Sequence, residues 1–120
     1  MLAHHFDEKN YAEVATQMLK NVQAEMEQYP GGFSNWLDLL SNYQSNYYEI
    51  VVVGDEAHEK IKEINQTYLP GKLIAGSTTP GELPLLKGRH LEGKTFMYVC
   101  VDNTCKLPVT STKTAMDLLK

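Results

Sequence analysis

Apolar residues recur at three- and four-residue intervals through the first quarter of the chain. Tyr11, Val14, Ala15, Met18, Leu19, Val22, Met26 and Tyr29 would share one face of a long helix running from Asp7 to Tyr29. Asp7 and Asn10 are its candidate N-caps, because their side chains can accept from the free N–H groups of a first turn. Pro30, Gly31 and Gly32 stop it. Beyond that turn Phe33, Trp36, Leu37, Leu40 and Tyr43 keep helical spacing, so a second, shorter helix completes a helical hairpin over residues 1–45. Trp36 lies on a broad apolar stripe and reads as core or subunit interface rather than as a platform for a ligand.

The pattern then changes. Glu49 to Gly54 reads EIVVVG, a β-branched run too short for a helix, which predicts a strand buried on both faces. Asp55 can cap a helix from Glu56 to Leu69 that places Ala57, Ile61, Ile64 and Tyr68 on one face, and Pro70 and Gly71 end it. Lys72 to Gly76 supplies a second strand, so strand, helix and strand follow with short joints, the layout of a parallel βαβ unit. Ser77 to Lys94 carries Pro80 and Pro84 and has no sustained period, and reads as a long loop. Thr95 to Val101 is a third strand, and Thr110 to Lys120 a closing helix capped by Ser111 or Thr112. The predicted fold class is α/β: two leading helices, a small three-stranded sheet containing the βαβ unit over residues 46–120, and a C-terminal helix. The partner of the third strand is left open by so long a loop.

Composition narrows the function classes. The chain has 120 residues, 42% of them apolar and 22% charged, enough for one core and close to globular averages. Its formal net charge is −4 with acids and bases interspersed, so no electrostatic footprint for nucleic acid or an anionic membrane is present. No stretch approaches the roughly 20 apolar residues of a spanning helix, and the polar start does not resemble a signal peptide. A cytoplasmic location is expected, with neither nucleic acid nor membrane as partner.

Candidate chemistry begins with Cys100 and Cys105, separated by Val-Asp-Asn-Thr. Asp102 and Asn103 suit a turn that would bring the sulfurs together. Three readings compete: inert thiols or a local disulfide, half of a metal site to which only His90 lies near in sequence, and a redox pair without the Cys-x-x-Cys spacing that lowers a thiol pKa. A second candidate is a small-anion site at Gly54, Asp55 and Glu56, where a strand end meets a helix N-terminus. Asp55 would repel phosphate there, which favours a capping role. The nearby His58 reads as a solvent-facing residue of the first helical turn. Lys87-Gly88-Arg89-His90 is a basic loop cluster of the kind that is usually solvated, and adjacent His4 and His5 would point apart on a helix. No GxSxG, HExxH, Walker or EF-hand pattern occurs. No catalytic residues, metal ligands or cofactor are assigned.

Pro84-Leu85-Leu86-Lys87-Gly88-Arg89, then Gly93-Lys94-Thr95-Phe96-Met97-Tyr98-Val99-Cys100, then Cys105-Lys106-Leu107-Pro108-Val109-Thr110, resemble the C-terminal signature of a family of long thioredoxin-domain proteins. That family includes the spermatogenesis-associated thioredoxin-like protein and its bacterial relatives. Val53-Gly54-Asp55 and Tyr68-Leu69-Pro70 fit it as well. The resemblance implies that this chain is a C-terminal segment of a larger protein, following a thioredoxin-like domain and an α-helical barrel of the epimerase and glycosidase kind. It further implies a non-catalytic structural or interaction module whose partners are those upstream domains. The rival expectation is a redox or metal-linked role for Cys100 and Cys105. If the leading helices are detached from such a barrel, their apolar faces predict either a homo-oligomer or packing of the helices on the sheet.

Overall fold

The computed structural model describes residues 2–119. In chain order the elements are α1 (Leu2–Phe6), α2 (Lys9–Gln28), a 3-10 turn (Pro30–Phe33), α3 (Ser34–Gln44), β1 (Tyr48–Val53), α4 (Ala57–Asn65), β2 (Lys72–Ser77), β3 (Phe96–Val101), β4 (Thr104–Cys105) and α5 (Thr112–Asp117). The class is α/β, as the sequence predicts. The sheet has four strands in the order β2-β1-β3-β4 rather than three.

β1 is central because it is apolar on both faces. Ile50 and Val52 point one way and pack with Met97 and Val99 of β3, beneath Ala57 and Ile64 of α4, Ala115 of α5 and Leu119. Val51 and Val53 point the other way and pack with Leu73 and Ala75 of β2. Leu85 and Leu86 of the long loop cover that second face, and His4 of α1 reaches its Glu49 end. All four β1 side chains from Ile50 to Val53 are at most 1% exposed, and burial of each contributes roughly 1.5–3 kcal/mol. β2 pairs parallel with β1, joined by α4 in the expected βαβ layout, while β3 pairs antiparallel on the other side of β1.

The fourth strand arises from the turn at Asp102 and Asn103, which folds Thr104 and Cys105 back on β3. Leu107 and Pro108 then leave the ladder, and Val109 rejoins it opposite Met97 through a pair of backbone hydrogen bonds. Pro108 has no N–H to give, so it belongs at such an interruption on an edge.

The leading helices pack on each other, burying Leu19 and Met26, and neither core cluster of the sheet contains a residue from them. The molecule is accordingly elongated, 54 × 29 × 20 Å.

Several helix ends differ from expectation. Asp7 does not cap α2: it sits at φ 52°, and its carboxylate accepts from the Asn103 side chain instead. Asn10 is inside α2, whose N-cap is Glu8 with no side-chain cap bond. Asp55 likewise leaves α4 uncapped; the hydroxyl of Thr95 accepts the Glu56 N–H. α4 also stops earlier, at Asn65, with Gln66 and Thr67 N–H groups closing tighter i−3 turns, so Tyr68 leaves the helix face and is 90% exposed. Ser111 is the N-cap residue of α5 but makes no side-chain cap bond.

Candidate functional site

The Asp102–Asn103 turn positions the two cysteines. Both residues are left-handed, at φ 49° and 61°, a region where Asp and Asn are the most tolerated residues after glycine. A two-residue loop with two positive φ values gives the strand twist that a hairpin needs. Val101 then faces Thr104, and Cys100 faces Cys105. The next pair outward is joined by the Lys106 N–H to the Val99 carbonyl, which leaves Cys100 and Cys105 as the close, non-hydrogen-bonded pair with side chains on one face. They form a disulfide. Of the sequence readings for these residues, the local disulfide is the one that the structure contains.

Arg89 lies against that bond. Its Nη1 donates to Cys105 Sγ at 3.0 Å and stands 3.9 Å from Cys100 Sγ. The guanidinium also covers the Tyr98 ring, 4.9 Å from its centroid, and the Tyr98 hydroxyl donates to the Arg89 carbonyl at 3.4 Å. Two turns place it there: Leu86 and Lys87 N–H groups bond the Leu83 carbonyl, and Arg89 N–H bonds that of Leu86. Leu85 and Leu86, buried against Val51 and Val53, anchor these turns on the sheet. Lys87 remains exposed, whereas Arg89 is half-buried, so the basic loop cluster does not act as one solvated group.

On the same face, next to the disulfide, Glu49 pairs in register with Cys100 and has no exposed surface. Its carboxylate is satisfied from two directions. His4 Nδ1–H donates to Oε1 at 2.7 Å, and the Asn103 N–H donates to Oε2 at 3.0 Å. The His4 ring lies against Tyr47, with centroids 4.7 Å apart. Burial, helped by the negative charges of Glu49 and Asp38, pushes the Tyr47 hydroxyl above its ordinary pKa. His5 takes no part in this cluster and sits near Phe6.

The Gly54, Asp55 and Glu56 junction is built differently from an anion cradle. Gly54 has φ 131°, and a β-carbon there would fall 2.3 Å from the Lys94 carbonyl oxygen and 2.5 Å from Thr95 Cα. Glycine is thus required by the close approach of the protein's own loop. An open cleft of about 410 Å³ beside it is lined by Asp55, Glu56, Lys94 and Thr95 among others, so acidic residues outnumber basic ones among its described lining. His58 is exposed, as expected. His90 stands 3.1 Å from the Thr78 carbonyl. Among the described residues no group of three His, Cys, Asp or Glu side chains could hold a metal ion.

Chemically, the arrangement offers one reactive bond, with a cation beside it and a buried carboxylate behind it. Sequence reasoning found the cysteines but missed Arg89 as their neighbour, and missed Glu49 and His4. A glutamate opening a strand predicted to be buried on both faces was the available signal for Glu49. Among the described residues no helix is long and apolar enough to cross a membrane. Compared with protein-family models, curated proteins and solved structures, the chain matches none.

Proposed function

We propose that this chain is a non-catalytic structural and interaction module of a cytoplasmic thioredoxin-domain protein, which uses α2 and α3 to dock on an adjoining helical domain. The observation that supports this reading is the helical hairpin itself. Tyr11, Val14, Met18 and Leu37 are each more than a third exposed, and the two helices stand apart from both cores of the sheet. An apolar face of this kind gains by burial against a partner. The test is to read the gene upstream of codon 1 and co-express the adjoining segment with the chain. Copurification that Met18→Ser and Leu37→Ser each weaken about tenfold, as expected for loss of a buried apolar anchor, is the expected result. A reading frame that opens at Met1, or an adjoining domain that does not bind, would overturn it.

A second reading, thiol–disulfide exchange at Cys100 and Cys105, is favoured by Arg89. A guanidinium 3.0 Å from Cys105 Sγ would stabilise the thiolate that forms when the bond opens.

A further inference from the structure

The disulfide hairpin and the start of the chain meet at Asn103. Its N–H holds Glu49 Oε2, its Nδ2 donates to Asp7 Oδ1 at 2.6 Å, and the other Glu49 oxygen holds His4. α1 has five residues and buries none of them. So short a helix does not sustain itself in water, and its place on the sheet depends on these polar contacts and the His4–Tyr47 ring contact. Asn103 is in turn held by a weak hairpin, since β4 is two residues long. The turn also keeps two non-glycine residues in the left-handed region, which favours its opening once a restraint is removed.

We infer that the Cys100–Cys105 bond is a redox-sensitive latch: when a dithiol reduces it, the Asp102–Asn103 turn opens and α1 leaves the sheet. The latch rests on the exchange reading above. Cys100 is 1% exposed and Cys105 is partly open to solvent, so the incoming thiolate attacks Cys105 Sγ. The S–S bond breaks with its electron pair on Cys100 Sγ. The second thiol of the reductant attacks the mixed disulfide and expels the Cys105 thiolate beside Arg89. The dithiol ends as its own disulfide, having given two electrons and two protons to the cysteine pair. The bond closes a short loop, and on the chain-entropy model its loss corresponds to roughly tenfold to fortyfold in the opening equilibrium of the turn.

Hydrogen exchange measured on the oxidised chain, on the chain reduced with dithiothreitol and on Cys105→Ser tests the latch. In parallel, the chain and Arg89→Gln are titrated in a dithiothreitol redox buffer. The expected result is that the amides of Glu8 and Asn103 exchange about tenfold faster or more in the reduced and Cys105→Ser forms, while those of β1 and β2 keep their protection. Arg89→Gln is expected to move the thiol–disulfide equilibrium about tenfold toward the disulfide, which is about 30 mV for this two-electron couple. A bond that resists reduction in the folded chain, or an equilibrium that ignores Arg89→Gln, would sink the exchange reading and the latch with it. Reduction that leaves Glu8 and Asn103 protected would sink the latch alone. Loss of protection throughout the sheet would also overturn it, because the bond would then hold the whole fold rather than the arm.

Discussion

Glu49 is the buried carboxylate that joins the start of the chain to the disulfide hairpin. A buried carboxylate is tolerated only when its oxygens are paired, and here one oxygen accepts a hydrogen bond from His4 of the first helix while the other accepts one from the Asn103 N–H of the β3–β4 turn. Glu49→Ala removes both at once and leaves the His4 and Asn103 donors without their partner. We expect it to lower unfolding free energy by about 2–4 kcal/mol. Glu49→Gln keeps the shape and one acceptor oxygen, so the expected loss is about half as large. Urea denaturation of the two variants checks this: equal losses would mean that the neutral amide rescues nothing and the carboxylate itself is required, whereas a Glu49→Gln variant as stable as the parent would mean that its charge is irrelevant.

At the scale of elements, α5 is fixed to α4 by a hydrogen bond from the Thr112 hydroxyl to Glu63. That bond, with a smaller contribution from Lys60 3.6 Å away, holds the Glu63 carboxyl below its ordinary pKa despite an opposing push from burial. The folded chain therefore binds this proton less readily than the unfolded one. Its stabilising contribution is present above the ordinary carboxylate pKa and is lost as pH falls through the lowered value. Thr112→Val is expected to melt earlier than the parent at neutral pH. The two melting temperatures should converge in acid, and a gap that persists unchanged there would show that Thr112 acts through packing alone.

How far the elements were legible follows the physics that makes them. β1 was readable because a β-branched run buried on both faces is a local property of the sequence, and the βαβ unit followed from it. α2 and α3 were readable from their spacing. The caps were not, since Thr95 reaches the start of α4 from across the fold and Asn103 draws Asp7 away from α2. β4 and α1 are too short to leave a periodic signal. In the candidate site, the cysteines and their turn are written in six consecutive residues, whereas Arg89 arrives only because Leu85 and Leu86 pack on the face of β1 that carries Glu49, Val51 and Val53.

For the whole molecule, the radius of gyration is 16.2 Å, against roughly 14 Å for a compact chain of this length. The difference comes from the helical hairpin standing off the sheet, which is not the arrangement in which the helices fold back onto it. Light scattering and small-angle X-ray scattering at rising concentration should show reversible self-association through Tyr11, Met18 and Leu37, with Met18→Ser shifting it to higher concentration. A monomer with a radius near 14 Å would mean that the helices close on the sheet in solution.

The central position of β1 bears on how the chain is made. Val53 pairs with Phe96 and Tyr48 with Val101, so the middle strand waits for a partner supplied late in synthesis. Until that partner emerges, a β-branched strand carries one open row of backbone donors and acceptors, the template on which chains aggregate. The unsatisfied edge lasts longest on a ribosome that pauses within the loop before β3. Chaperone demand during translation would thus be set by the delay in that loop rather than by the final stability of the sheet.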